Sequence, residues 1–342
     1  MTPGFDGGRD QGRPWRAWIT GIWYGYHPLA ILLSPLSWIY RGIVSLRGLA
    51  YAKGILPVAR FPVPVVVVGN LTVGGTGKTP LVIALCRLLR NTNYRPGVVS
   101  RGYGGRSAHW PRQVHPDSDP DEVGDEALIL ARHSDCPVVV GPDRVAAARF
   151  LLQNAACDIV LSDDGLQHLG LGRDLEICVI DGSRRFGNGR CLPAGPLREP
   201  LRRLQSVDIR VVNGTAGPGE FAMRIEAGAA VSLSHPVNRR SLRSFAGATV
   251  HAVAGIGNPE RFFALLEAHQ IRVIRHAYPD HHHYASGELE FGDTHPVLMT
   301  EKDAVKYARG PDPKYWYLPI EAVLPSQLEQ VLIAKLKRRC NG

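Results

Sequence analysis

No Asp or Glu occurs between Asp10 and Asp117, although Arg and Lys recur throughout that stretch. The formal net charge of the 342 residues is +9. A long block of one sign favours an anionic partner: nucleic acid, anionic lipid headgroups or a phosphorylated substrate. Regular cysteine spacing is also missing. Cys86, Cys136, Cys157, Cys178, Cys191 and Cys340 form no CxxC pair. This argues against a disulfide framework or a zinc knuckle and for reduced thiols in the cytosol. There is no internal repeat and no low-complexity tract. The small-residue cleavage site of a signal peptide is absent.

Formal charge is absent from residues 17–40, His27 aside, and the segment is instead apolar and aromatic. Trp18, Ile22, Trp23, Tyr24, Tyr26, Leu32, Leu33, Trp38 and Ile39 lie in it, with Arg13 and Arg16 before and Arg41 and Arg47 after. Its length would suffice to span a bilayer. Gly21, Gly25, Pro28 and Pro35 break it into pieces, however, and its aromatic residues are not confined to its ends. One or two interfacial helices on an anionic membrane surface are expected. A single spanning anchor, or an apolar arm packed on its own domain, are the other readings.

Downstream, strand-like and helix-like runs alternate. Strands are expected at 65–68, 97–100, 137–141, 158–162, 175–180 and 209–212, and helices at 81–89, 126–133 and 144–154. This pattern predicts an α/β fold, a doubly wound, mostly parallel sheet of the P-loop NTPase kind. A smaller α/β lobe follows from about residue 236, with strands at 250–254, 272–276, 297–300 and 316–319 and a closing helix at 326–338. The expected division is 1–48, a membrane-associated helical segment; 49–235, a nucleotide-binding core; and 236–342, the smaller lobe.

The chemistry gathers at strand ends, where such folds place their ligands. Four valines, 65–68, lead into Gly69-Asn70-Leu71-Thr72-Val73-Gly74-Gly75-Thr76-Gly77-Lys78-Thr79-Pro80 and then a helix. That order is the context a phosphate-binding loop requires. Its backbone N–H groups and helix N-terminus cradle a polyphosphate. Lys78 reaches the β- and γ-phosphates, and Thr79 ligates Mg²⁺. Thr72 stands where the general pattern has its first glycine. Asp163-Asp164 ends another hydrophobic strand, as a magnesium-holding carboxylate does. Gly124-Asp125-Glu126 opens a helix, either as a cap or as a base for an attacking hydroxyl. Asp280-His281-His282-His283 offers a metal site, a surface cluster, or a His that orients a catalytic Asp; adjacent residues rarely converge on one ion. Thr300-Glu301-Lys302-Asp303 is readable as a guanine-reading loop without its Asn or as a helix cap. The loop 192–200 is stiff and carries an Arg–Glu pair, Arg198-Glu199.

Together, the segments 69–80, 100–104, 124–126, 162–168, 192–200, 279–282 and 300–303 resemble the tetraacyldisaccharide 4'-kinase family, the lipid A 4'-kinases of Gram-negative bacteria, along nearly the whole chain. Thr72 is part of that family's pattern. The resemblance implies ATP and Mg²⁺ as cofactors and phosphorylation of the 4'-hydroxyl of a tetraacylated glucosamine disaccharide 1-phosphate. It also implies a bacterial inner-membrane location with the site facing the cytoplasm. The lipid substrate and an anionic membrane surface would be the partners, with no nucleic acid. Carried onto this chain, Thr72, Val73, Gly74, Gly75, Thr76, Gly77, Lys78 and Thr79 would hold the nucleotide. Thr79, Glu126, Asp163 and Asp164 would lie on the metal side. Asp125 would be the base, assisted by His281, with Lys78 also catalytic. Arg101, Arg198, Glu199, His282 and Asp303 are further candidates, and His281, His282 and His283 all stay open as partner of Asp125. A membrane-associated nucleotide switch, a nucleic-acid-associated ATPase and a kinase acting on another lipid sugar are the competing readings.

Overall fold

The computed structural model describes residues 14–25, 27–307 and 312–340, the side chains of 14–18, 339 and 340 excepted. Arg13 and Tyr26, and the side chains of Arg16, Trp18 and Cys340, lie outside the described residues.

Three helices lead the chain: α1 (Pro14–Tyr24), α2 (Leu29–Leu32) and α3 (Ser34–Ala52). Gly25 and Pro28 separate the first two. Pro35 sits in the first turn of α3, where a missing N–H costs nothing. Among the described residues no helix is long and apolar enough to cross a membrane, which differs from the spanning anchor considered above. Glycine and proline keep α1 and α2 short, and α3, 19 residues long, carries Arg41, Arg47 and several polar residues that lower its apolarity. Helix α3 is inverted relative to an ordinary surface helix. Two of its serines turn inward: Ser34 and Ser37 are buried, and Ser37 Oγ donates to Cys191 O at 2.7 Å. Its outer face carries Leu36, Ile39, Ile43 and Leu46, 55–67% exposed, spaced three and four residues apart. Trp38 and, on α2, Ile31 and Leu32 extend the same apolar surface.

Strands and helices then alternate: β1 (Val65–Gly69), α4 (Lys78–Asn91), β2 (Pro96–Ser100), β3 (Arg112–Val114), α5 (Pro120–Val123), α6 (Asp125–His133), β4 (Val138–Val140), α7 (Arg144–Asn154), β5 (Ile159–Ser162), β6 (Leu175–Asp181), β7 (Ile209–Asn213) and β8 (Phe221–Ala227). The second part comprises β9 (Ala230–Ser232), β10 (Arg239–Arg240), β11 (Thr249–Ala254), α8 (Pro259–Ala268), β12 (Arg272–Ala277), β13 (Val297–Thr300), α9 (Glu301–Ala304), β14 (Tyr315–Leu318), β15 (Ile320–Val323) and α10 (Ser326–Cys340).

Among the described residues the first sheet runs β15-β8-β7-β6-β1-β5-β2-β4-β3. It is parallel except for its two edge strands, β15 and β3. Strand β1 is central and wholly buried, as a β-branched run covered on both faces should be. Successive valines point to opposite faces. Val66 and Val68 join Leu81, Leu85 and Leu89 of α4, whereas Val65 and Val67 join Ala147 and Leu151 of α7. The second sheet runs β10-β9-β14-β13-β11-β12, with α8 packed on Val250, Ala252 and Ala254.

The outline expected from the sequence is present, but its C-terminal end differs. Strand β15 pairs with β8 of the first sheet, beside the outgoing connection, where Gly228 N donates to Pro319 O at 2.9 Å. The expected closing helix, α10, buries Leu328, Leu332 and Leu336 against Val66 and α4 and so covers the larger sheet. This stripe needs an apolar face, and the first sheet supplies one. The strands β3, β8, β9, β10 and β15 were not anticipated: all but β8 are two to four residues long, and the exposed Arg224 and Glu226 of β8 dilute its apolar pattern.

Replacing Leu332 by Ala should destabilise the larger sheet. An expected loss of about 2–5 kcal/mol would appear in urea unfolding as a lower midpoint at an unchanged slope.

Candidate active site

The chain order of the first sheet reverses around β1, so the carboxyl ends of β1, β5 and β2 open on one crevice. After β1 the loop of residues 70–77 turns into α4. Gly77 caps that helix at φ 96°, and a Cβ there would lie 2.9 Å from Asn213 Nδ2. Asn213, at the end of β7, donates to Thr76 O at 3.2 Å. The stiff loop 192–200 braces the other side: Val73 N donates to Pro196 O at 2.9 Å, and Arg198 N to Leu71 O at 2.7 Å. Open space surrounds Gly74 and Gly75 on the side where a Cβ would project. The buried Thr76 Oγ1 has no hydrogen-bond partner among the described residues. A rigid, glycine-lined turn with an unused hydroxyl at a helix N-terminus fits the phosphates of ATP.

Asp163 and Asp164 follow β5. Asp163 is buried and its Oδ1 has no hydrogen-bond partner among the described residues. Burial, with the Glu126 charge adding to it, pushes its carboxyl up to about 7 against the pull of Lys78. Such a group is poised for a cation that is not one of its own side chains. Asp164 takes both oxygens to Arg198 Nη1 at 3.1 Å, with Lys78 Nζ at 3.6 Å. Burial opposes its ionisation, but Lys78 and Arg198 outweigh that and hold it below the usual carboxylate range. Lys78 also lies 3.4 Å from Asn70 Oδ1. Its contacts are long, which leaves it free to turn to a phosphate. Behind the carboxylates stands Arg144, 3% exposed, whose Nη1 donates to Gly141 O at 3.1 Å. Burial lowers it to about 10, against the charges of Asp163 and Asp164.

Asp125 opens α6 after Gly124, whose φ of 90° and 2.4 Å virtual Cβ contact with Tyr103 O admit only glycine. The structure resolves the open histidine question. His281 Nδ1 lies 3.0 and 3.1 Å from the two oxygens of Asp125. His282 turns instead to Glu288 at 2.8 Å, and His283 to Asp121 at 3.3 Å. Burial would raise the Asp125 carboxyl, but His281, Lys302 and Lys306 hold it ionised. Among the described residues no three His, Cys, Asp or Glu side chains are grouped to hold a metal ion, so the zinc reading of 280–283 finds no support. A magnesium ion on a nucleotide does not need such a group, because phosphates and water supply most ligands. Asp163, with its unpartnered Oδ1, is the carboxylate left open to such an ion.

The other candidates have different neighbours. Arg101 is exposed at the end of β2. Glu199 accepts from Gln167 Nε2 at 2.8 Å and pairs with Arg203, so it braces the loop. Asp303 is fully buried; its Oδ2 takes Gly255 N at 2.9 Å and Thr300 Oγ1 at 2.5 Å, and its Oδ1 takes Tyr284 Oη at 2.8 Å. Thr300 caps α9, which favours the helix-cap reading of 300–303 and leaves Asp303 no oxygen for guanine. Lys302 and Lys306 went unnamed as site residues, although the Glu-Lys-Asp run did carry Lys302. The two lobes meet at this mouth: a Cβ on Gly257 would lie 2.9 Å from Gly75 N, with Asp280 Oδ2 3.7 Å away.

The family model described as Tetraacyldisaccharide-1-P 4'-kinase matches residues 29–337. A tetraacyldisaccharide 4'-kinase of Nitrosococcus oceani is 52% identical over 320 residues, 94% of each chain. One of Alkalilimnicola ehrlichii is 54% identical over 316 residues, 90% of this chain and 92% of that one. The crystal structure of "apo" form LpxK from Aquifex aeolicus in complex with ATP superposes with a TM-score of 0.75 at 29% identity, over 90% of this chain and 99% of that one. Agreement of this extent, in sequence and in fold, means that the chain belongs to the tetraacyldisaccharide-1-P 4'-kinase family.

Proposed function

We propose that the protein is an ATP- and Mg²⁺-dependent kinase of lipid A biosynthesis that phosphorylates the 4'-hydroxyl of a tetraacylated glucosamine disaccharide 1-phosphate. The observation that carries this reading is the buried, ionised Asp125 carboxylate, aligned by His281 at 3.0 Å where the smaller lobe meets the P-loop. A sugar hydroxyl is a weak nucleophile at neutral pH. A positioned base that takes its proton contributes about 10²–10⁴-fold. The O4' oxygen bonds to the γ-phosphorus, the bond from that phosphorus to ADP breaks, and the hydroxyl proton passes to Asp125. Lys78 and the N–H groups of the loop hold the phosphates, and Arg198 keeps Asp164 in place. Bound Mg²⁺, held by Thr79 with Asp163 and Asp164 and with Glu126 nearby, would neutralise charge on the β- and γ-phosphates.

The acyl chains stay in the bilayer, since removing them costs about 0.8 kcal/mol per CH₂. The enzyme must therefore reach the membrane. The outward apolar face of α2 and α3, with Arg41, Arg47 and Lys53 exposed along the same segment, supports docking on an anionic surface. In this reading the described part of the 1–48 segment, from Pro14 on, lies on the cytoplasmic face of the inner membrane; residues 1–13 lie outside the described residues. The core of 49–235 binds the nucleotide, and the lobe that begins near 236 delivers His281. No nucleic acid takes part.

Phosphate transfer from labelled ATP to the lipid in detergent micelles tests the assignment. Asp125→Asn should lower kcat by about 10²–10⁴-fold while nucleotide binding persists; full activity in that variant would refute the base. Lys78→Ala should lose both nucleotide affinity and labelling of the lipid. For the membrane face, Ile39→Glu with Ile43→Glu should weaken sedimentation with anionic vesicles about tenfold or more. Unfolding midpoints should not move, because both side chains face solvent.

A further inference from the structure

We infer that Lys302 is a positioning residue for phosphoryl transfer: its ammonium fixes the tautomer of His281 so that the imidazole donates to Asp125. This inference rests on the assignment of Asp125 as base. Lys302 opens α9 beside Glu301, and its side chain is 14% exposed. Its Nζ lies 2.9 Å from Glu126 Oε1, 2.9 Å from Asp280 Oδ1 and 3.3 Å from His281 Nε2. An ammonium has three N–H donors and no acceptor. Each donor therefore has one partner, and Nε2 must accept. The proton of a neutral imidazole then sits on Nδ1, the atom 3.0 Å from Asp125 Oδ2.

The consequence reaches the reacting atoms. With Nδ1–H donating, Asp125 is held in one orientation and keeps lone pairs for the substrate hydroxyl. The opposite tautomer would set the Nδ1 lone pair against the carboxylate. An imidazolium would aim its Nε2–H at the Lys302 ammonium. Each alternative places like against like at about 3 Å, where a misfit is felt strongly in a part-buried site. Lys302 keeps its own charge because Glu126, Asp125 and Asp280 surround it, which outweighs its burial and raises its pKa. Asp280 precedes His281 directly, so one ammonium holds both the backbone turn, at a φ of 62° for His281, and the ring. Glu126 adds a tie to the core, so the same contact spans the two lobes. Asp280 Oδ1 also stands 3.7 Å from Nε2, beyond hydrogen-bond reach, so the Lys302 ammonium at 3.3 Å is the nearer partner and the one that sets the tautomer.

Nitrogen-15 spectroscopy of the histidine ring in the nucleotide-free wild-type protein tests the inference, with His281 assigned by its loss in His281→Gln. The expected pattern is an unprotonated Nε2 and a protonated Nδ1. An Nε2–H or imidazolium pattern in wild type would overturn the proposal however the variants behave. In Lys302→Met the Nδ1–H pattern should be lost and kcat should fall on the order of 10²-fold, with the KM for ATP little changed. Lys302→Arg, which still donates and stays charged, should restore the pattern and most of the rate. An unaltered ring pattern in Lys302→Met would also overturn it. These readouts are separate from the base assignment: activity surviving in Asp125→Asn would remove Asp125 as base without altering the ring pattern of the wild type.

Discussion

Five carboxylates converge on one partly dry mouth, and their mutual repulsion is the constraint that the surrounding structure answers. Asp163 and Asp164 end β5, Asp125 and Glu126 open α6, and Asp280 comes from the second lobe. The five cations near them arrive from four places: Lys78 from α4, Arg144 from α7, Arg198 from the loop after β6, and Lys302 and Lys306 from the region of α9. Removing charges from water is costly unless each is paired. The arrangement leaves one acid short of a partner. Asp163 is buried with an unused oxygen, the state expected of a group whose counter-ion travels with the nucleotide.

Helix α3 is joined to this mouth mainly through loop carbonyl groups. Tyr40 Oη donates to Arg198 O at 3.0 Å and Arg47 Nη1 to Gln167 O at 3.0 Å. Ser37 holds Cys191 O, and Arg202 reaches Ser45 at 2.7 Å. The inward face of α3 is thus polar because it satisfies loop carbonyls, and the outward face is free to be apolar. An element that presents Ile39 and Ile43 to solvent would be a liability on an ordinary soluble surface. Here it lies next to the loop that carries Arg198, so the exposed apolar face and the cleft share one piece of structure.

Much of the core was legible in the text of the chain. The four-valine strand, the Gly-Lys-Thr turn and the Asp-Asp strand end are each local and appear as expected. Helix α7 begins and ends where anticipated, at Arg144 and Asn154, because Asp143 caps it and the apolar spacing stops there. The route of the C-terminal chain was not legible. Strand β15 is four residues with exposed positions, and nothing in Ile-Glu-Ala-Val states which sheet edge it will join. Three consecutive histidines are likewise equivalent as letters. The turn at 279–284 separates them, sending His281 to Asp125, His282 to Glu288 beneath Tyr278, and His283 to Asp121. Asp303, readable in the sequence either as a guanine-facing group or as part of a helix cap, is claimed by the Gly255 backbone and the Tyr284 hydroxyl.

What the sequence determined by itself are the features decided within a dozen neighbouring residues. These are a buried parallel strand, a glycine turn that exposes N–H groups, a helix N-terminus behind it, and carboxylates at strand ends. Backbone geometry and side-chain periodicity act at that range, so spacing is enough. Tertiary structure alone decided which distant charges meet. Asp125 and His281 are 156 positions apart, and Lys302 and Glu126 are 176 apart. Their distances depend on how two sheets pack across the crevice, and burial then sets which charge must pair with which. Pairing energies of that kind depend on position and dielectric, and neither is written in the order of residues.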